Sequence, residues 1–492
     1  MKIMIECYET EVENMDIMDL ASKGIIKITK NYGRKVQTQA TAHPIPESLP
    51  TTIAGDVFRA GFARAEIMPD LSLDRTYWIA GHGSGHKMEG ILSPVYIHAM
   101  WLDCGNDEGI IWISADIVGL TNIEVNKIRR MILSRPEMKN CKMINFSCTH
   151  SHSGVDTLGY WGKANLVSIP SDGKVPEYME MLFKKAVKVS VEAYNNRKEG
   201  KLYSGRVHIE NGLSTGRRLP ERHEYLTRLR FVPNEGDEIW LMNIGAHPNS
   251  LGGGNRLLSG EYPYFMREQI KEEKGADVIF GIGAIGGMDA KDFGNEDRVE
   301  EIKLQAKYYA EKSYEIEDEK EMSPEIKFIC QQFYLPVDNN VLTLLAMRGT
   351  MSFKAFPSNI SATGVAMKTE ITYMTIGSQK LLTLPGENFV STVYGGYMDE
   401  ENSTTGLPAS VNAKPLADIA GDHEMIAFGV TNDMTGYCVP KNDFVLHPTQ
   451  PYLNSTRDRF DENHYHETNS MGPETHRVIA EVLERVVKNF NK

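Results

Sequence analysis

The stretch from Gly109 to Cys148 leaves few folds open. Residues 110–118 read Ile-Ile-Trp-Ile-Ser-Ala-Asp-Ile-Val, an almost unbroken apolar run of the kind found in a strand covered on both faces. Asn122 to Ser134 then sets Val125, Ile128 and Ile132 at helical spacing. A second apolar strand follows from Lys142 to Cys148. A strand, a helix and a strand in that order predict a parallel pair, because parallel neighbours need a crossover longer than a hairpin turn. Val95 to Cys104 pairs with the first strand around Gly105-Asn-Asp-Glu108. Further strand signals fall at 201–210, 225–232, 238–247, 277–280, 326–337, 370–376, 380–384 and 425–430. Helical stretches fall at 122–134, 176–195, up to Glu273, 295–315 and 473–489. The expected fold class is α/β: layered mixed β-sheets flanked by helices, in a single large domain over 56–492. Residues 1–55 read as an N-terminal extension and linker, with a strand at Gly24-Ile-Ile-Lys-Ile-Thr29 and little periodicity over 34–55.

Charge narrows the partners. The formal net charge of -13 argues against a nucleic-acid binder, which needs a basic face, and against docking on an anionic membrane. No apolar stretch approaches the ~20 residues of a membrane helix. The first twenty residues are acidic and broken by charges, so no secretory signal is expected and the expected location is cytoplasmic. The six cysteines are scattered without Cys-x-x-Cys spacing, which predicts reduced thiols. Cys148 is expected to pack rather than react.

The strand at 142–148 runs into Thr149-His150-Ser151-His152-Ser153-Gly154. Two histidines at i and i+2 on extended backbone point to one side, so both imidazoles are expected to face one cavity at the strand's carboxyl end. Either could hold a metal while the other carries a proton or donates a hydrogen bond. The bland alternative is a pair of satisfied histidines in a polar turn. The strand at 238–247 also ends on a histidine, His247. Pro385-Gly-Glu387 and the segment around Tyr437 follow later strands, so strand ends offer His150, His152, His247, Glu387 and Tyr437 together. Such nitrogen and oxygen donors suit zinc. The glycine-rich loop Gly81-His82-Gly83-Ser84-Gly85, with Tyr160-Trp161, is expected to wall a pocket. Arg217-Arg218 is expected to clamp an acidic or polar substrate group, unless the pair is merely solvated.

The order and wording of these motifs resemble the neutral/alkaline, non-lysosomal ceramidase family, in the catalytic N-terminal part of that family and as a divergent member. The family's Thr-His-x-His-Ser-Gly is matched by 149–154, Ala-His-Pro-x-Ser by 246–250, and Pro-Gly-Glu by 385–387. A Ser-Gly-acidic step matches Ser259-Gly260-Glu261, and an Asn-x-x-x-x-Tyr-x-x-Pro-like segment matches 432–440. The closing Tyr-Glu and Gly-Pro-x-Thr region is similar to Tyr465-His466-Glu467 and Gly472-Pro473-Glu474-Thr475. The opening Ala-Gly-Phe-Ala-Arg-Ala-Glu-Ile at 60–67 also fits. The resemblance implies a zinc-dependent amide hydrolase over 56–492, with zinc on His150, His247, Glu387 and Tyr437 and with His152 stabilising the tetrahedral intermediate.

Two departures shape the expected function. The family places a catalytic serine in Gly-Asp-x-Ser-Pro, whereas this chain reads Ile285-Gly-Gly-Met-Asp289-Ala290-Lys291. Asp289 is the nearest functional group there, expected to orient an attacking water or the substrate, with a helix cap as the bland alternative. Secreted ceramidases also continue into an immunoglobulin-like domain where this chain stops, so ceramide is not the expected substrate. The expected function is a cytoplasmic zinc hydrolase that cleaves a linear amide bond in a small N-acyl compound by metal-activated water. The alternatives are a metal-dependent ester or lactam hydrolase, or a non-catalytic metal- or ligand-binding protein that lost the serine. The expected partner is a small-molecule amide, with no nucleic acid and no membrane anchor. Self-association into a homo-oligomer stays open.

Overall fold

The parallel crossover is formed as expected. In the computed structural model, which describes residues 17–167 and 169–492, Gly109–Ala115 and Cys141–Cys148 lie parallel and are bridged by the helix Asn122–Leu133. Tyr96–Asp103 pairs antiparallel with Gly109–Ala115. The helix begins at a capping box in which Thr121 and Glu124 satisfy each other's backbone amides.

These strands belong to a large mixed sheet. Its spatial order is Asp277–Ile282, Ile239–Ile244, Tyr225–Pro233, Lys198–His208, Phe58–Glu66, Tyr96–Asp103, Gly109–Ala115 and Cys141–Cys148. A second sheet is ordered Thr51–Ala54, Glu325–Val337, Val365–Ile376, Gln379–Thr383 and Ile426–Phe428. Helices Pro176–Asn195, Glu261–Lys274 and Arg298–Tyr314 pack on the first sheet, and Thr475–Phe490 packs on the second. The result is the expected α/β domain of layered mixed sheets flanked by helices. Among the described residues no helix is long and apolar enough to cross a membrane.

The extension differs from its reading. Residues expected to start a strand at Gly24 belong to the helix Ile17–Gln39, and Thr51–Ala54, inside the expected linker, pairs antiparallel with Glu325–Val337. The helix buries Ser22, Ile25, Thr29, Gly33 and Val36, a stripe at helical spacing that contains only two apolar side chains. Its small residues allow close approach: a Cβ on Gly33 would overlap the carbonyl of Thr363, and Thr29 donates its hydroxyl to Asn340 Oδ1 at 2.7 Å. Cys7 lies outside the described residues. Cys104, Cys141, Cys148 and Cys438 are buried free thiols, and burial pushes Cys104, Cys141 and Cys438 up to about 12.

One short segment brings the far strands together. Ile426–Phe428 runs parallel to Gln379–Thr383 in the second sheet, and its continuation crosses between the ends of the first. Gly429 donates its amide to Ile282 O at 2.9 Å, and Cys148 donates to Val430 O at 3.2 Å. The Asn432 side chain accepts from the Phe146 amide at 2.8 Å. Val430 has a positive φ of 44°, uncommon for a β-branched residue, at the point where the chain leaves the sheet for the site. The carboxyl ends of strands distant in sequence thereby meet.

Candidate metal centre

The histidines converge at that meeting point. Cys141–Cys148 ends before them, and His150 takes a left-handed conformation with φ 62°. The two imidazoles share a cavity because the chain turns at His150, not because an extended strand continues through it. Their ring centroids are 4.9 Å apart. His247 follows the strand Ile239–Ile244, and its ring lies 4.9 Å from that of His150 and 5.1 Å from that of His152. One ligand atom from each of the three rings lies within 4.8 Å of the others, and all three residues are buried.

Backbone carbonyls fix the tautomers. His150 Nδ1 donates to Val118 O at 2.6 Å, and His247 Nδ1 donates to Met288 O at 3.0 Å. Each ring therefore turns Nε2 toward the centre, the arrangement that orients metal-ligating histidines, and Glu387 outweighs burial to raise the His247 imidazole above its ordinary range. Glu387 completes the cluster: its Oε2 is 3.3 Å from His150 Nε2 and 3.1 Å from His247 Nε2. His247 Nε2 and Glu387 Oε2 are both buried, so these short contacts within the cluster are what holds them. Ionisable groups crowded this closely in a buried site carry a desolvation penalty that a bound cation would offset. Burial alone would raise the Glu387 carboxyl, but His150 and His247 outweigh it and hold it well below the usual range. Glu387–Asn388 pairs parallel with Tyr437–Cys438, which sets the Tyr437 hydroxyl in a hydrogen bond with Glu387. Two imidazole lone pairs, a carboxylate and a phenol are a donor set that fits zinc.

His152 is placed differently. Its Nε2 lies 3.1 Å from His150 Nε2, and its Nδ1 is buried without a partner. In that contact one Nε2 carries the proton and the other accepts it. Burial, reinforced by the neighbouring histidines, keeps His152 neutral far below its ordinary range. The loop behind it is anchored twice: Ser151 donates to Ser259 O at 2.8 Å, and Ser153 donates to Glu261 at 2.6 Å. Burial lifts the Glu261 carboxyl to about 7.

A cavity of about 440 Å³ opens over the cluster. His82, Tyr160 and Trp161 line it as the sequence reading expects, together with His150, His152, Glu387 and Tyr437. Gly81 has φ +104° and touches His152 so closely that a Cβ there would overlap the ring. Arg217 and Arg218 do not line the cavity. The Arg217 guanidinium is buried, 2.8 Å from Asp443 and 3.0 Å from Glu467, and Arg218 lies 3.4 Å from Asn402 at the surface. The expected substrate clamp is instead an internal ion-pair cluster, since two buried carboxylates take up the cation. Among the described residues no lysine or arginine lines the cavity.

Asp289 stands beside the cluster. Its backbone bridges to His247, and its Oδ1 accepts from Asn249 Nδ2 at 2.7 Å. Asn249 lines the cavity and Asp289 does not. Asp289 belongs to the short strand Met288–Ala290, which excludes the helix-cap reading. Ala290 offers no nucleophile, and the neighbouring Ser214 donates its hydroxyl to Ala290 O at 2.6 Å. Sequence reasoning missed Tyr465, Met351, Met434 and Met471 on the cavity wall. Tyr465 opens the Tyr465-His466-Glu467 motif, yet nothing in its sequence neighbourhood indicates that it stacks on His466 at 4.0 Å and meets Tyr437 edge-on at 6.2 Å.

The same architecture is known. Neutral ceramidase from Pseudomonas aeruginosa superimposes with a TM-score of 0.63 at 14% identity, covering 88% of this chain and 74% of that one. The fold is the ceramidase fold. A ceramidase complexed with C2 gives a TM-score of 0.64 at 14% identity, with 88% and 75% covered. No family model matches the chain, and no curated protein matches it. On the ceramidase fold this chain carries Asp289-Ala290-Lys291 at the end of the short strand beside its histidine cluster.

Proposed function

We propose that the chain is a hydrolase that cleaves the amide bond of a small, uncharged N-acyl compound, with zinc held by His150, His247, Glu387 and Tyr437. The observation that carries this reading is the buried convergence of His150 Nε2 and His247 Nε2 on Glu387 Oε2, at 3.3 and 3.1 Å. The ceramidase fold supports the amide as the bond attacked. The lack of lysine and arginine on the cavity wall, with Leu158, Leu342 and three methionines there, supports an uncharged substrate rather than the acidic one that Arg217 and Arg218 would suit.

Zinc, when bound, supplies Lewis acidity that polarises a carbonyl and acidifies water. The chain's own groups divide the remaining work. His150 would hold the metal through Nε2, which would leave His152 free to donate an N–H to the substrate's carbonyl oxygen as charge develops there. Asp289, steadied by Asn249, accepts a proton from the attacking water. As the C–N bond breaks, that proton passes to the departing amine nitrogen, leaving a carboxylic acid and an amine. Tyr160 and Trp161 exclude bulk water from one side.

The test is a turnover screen of zinc-loaded enzyme against soluble short N-acyl amides, matched esters and long-chain ceramide in detergent. Soluble amides should be hydrolysed fastest, and Asp289→Asn should slow them by roughly 10²-fold or more with zinc still bound. Preference for ceramide overturns the substrate assignment, and an unimpaired Asp289→Asn enzyme overturns the role of Asp289. No turnover of any compound overturns the hydrolase reading in favour of a binding protein.

A further inference from the structure

A second cavity, of about 250 Å³, shares one stretch of chain with the wall of the first. Met351 faces the catalytic cavity, while Ser352, Phe353 and Lys354 face the other. The second cavity collects three cations from three elements: Arg130 from the helix Asn122–Leu133, Lys354 from the loop, and Lys368 from the strand Val365–Ile376. Among the described residues none of the three is in an ion pair, and no aspartate or glutamate lines the cavity. This is unusual in a chain of net charge -13, where carboxylates are in excess. The adjacent Arg129 shows the contrast, since it is bound to the buried Glu370 at 2.6 Å.

The floor of the cavity is fixed by hydrogen bonds. Asn126 Nδ2 donates to Asn122 Oδ1 at 2.7 Å, and Arg129 donates to Asn126 Oδ1 at 3.2 Å. The Asn122 amide donates to Asp433 Oδ1 at 2.9 Å, so the helix is pinned behind the cavity. Glu370, 3.5 Å from Asn122 Nδ2, is already engaged by Arg129, and Lys354 Nζ lies over the Phe356 ring, 5.3 Å from its centroid, so no carboxylate neutralises the three cations. Ser352 Oγ accepts from Lys174 Nζ at 3.4 Å, which leaves the serine's own proton free to donate. Phe353, Phe356 and Met367 supply an apolar side. Like charges gathered around a half-enclosed hollow repel one another and attract a multivalent anion.

We propose that this cavity binds a small organic dianion, of which a phosphate monoester with a flat apolar body fits best. The oxyanion takes Arg130, Lys354, Lys368 and the Ser352 hydroxyl, and the body lies against Phe353 and Phe356. Because one stretch of chain serves both cavities, occupancy also restrains the wall of the catalytic cavity.

Calorimetric titration of the full chain with phenyl phosphate, inorganic phosphate and benzoate tests this. Phenyl phosphate should bind saturably and more weakly as salt rises. Inorganic phosphate should bind more weakly than phenyl phosphate, and benzoate, with one charge, roughly tenfold more weakly or worse. Lys368→Met and Lys354→Glu should each weaken phenyl phosphate by roughly tenfold or more. Lys354 is exposed, so its reversal leaves the fold intact. Amide exchange at 350–354 should slow with ligand bound. Absence of saturable binding, equal binding by both variants, or benzoate matching phenyl phosphate overturns the site. Inorganic phosphate matching phenyl phosphate, or unchanged exchange at 350–354, overturns the part given to the rings or to the shared wall.

Discussion

At the residue scale the histidines carry separable roles that the atoms already distinguish. His150 and His247 each spend Nδ1 on a backbone carbonyl, while His152 Nδ1 has no partner. His150→Ala and His247→Ala should therefore lose zinc, which is expected at about one per chain, as read by elemental analysis. His152→Ala should keep the metal and lose turnover by ~10²–10³, the typical effect of removing one donor to a developing oxyanion. Equal zinc loss in the His150 and His152 variants would show that the roles are divided wrongly.

At the scale of elements, the loop and the ion-pair cluster make separate demands. Gly81 closes the turn against His152 at a φ that disfavours any side chain. Gly81→Ala should displace His152 at a strain of ~1–3 kcal/mol, lowering turnover while zinc remains bound. Arg217 joins the segment after Leu213–Thr215 to Asp443 and Glu467, which follow Tyr437 in the chain. Arg217→Met leaves two buried carboxylates without their cation and should cost about 3–5 kcal/mol in denaturant unfolding. Burial would raise Glu467, but Arg217 and His464 hold it down to about 2, whereas burial dominates at Asp443 and raises it. A carboxylate held low contributes fully above its unfolded pKa of about 4.3 and loses that contribution as pH falls toward its folded value. The deficit of Arg217→Met should accordingly shrink as pH is lowered through that window, and a deficit independent of pH would remove Glu467 from the account.

For the molecule as a whole, the first described helix is part of the body and not an appendage. Ile17–Gln39 lies against Asn340–Met347, whose Leu342 reaches the catalytic cavity, and Thr51–Ala54 covers one edge of the second sheet. Gly33→Val forces the helix off the Thr363 carbonyl and should destabilise by roughly 1–3 kcal/mol or more. A lower melting midpoint and earlier proteolytic cleavage within 17–50 are the expected signs, with zinc content unchanged. A melt indistinguishable from wild type would show the helix to be loosely docked.

The sequence by itself determined the parallel crossover at 109–148, most later strands and the amphipathic helices, because periodicity is a local property that survives without a fold. It also marked His150, His152, His247, Glu387 and Tyr437, since each sits where an apolar run stops or a turn motif begins. It misread 24–29 as a strand, because the buried stripe of that helix uses serine, threonine and glycine, whose fit depends on a neighbour's backbone. It assigned Arg217 to a substrate for a related reason: whether a guanidinium meets a ligand or two buried carboxylates depends on segments more than two hundred residues away. Tertiary structure alone decided that His150 turns left-handed, that 426–432 draws the strand ends together, and that Tyr465 and the methionines close the cavity. Those are contacts between distant segments, and no local pattern encodes them.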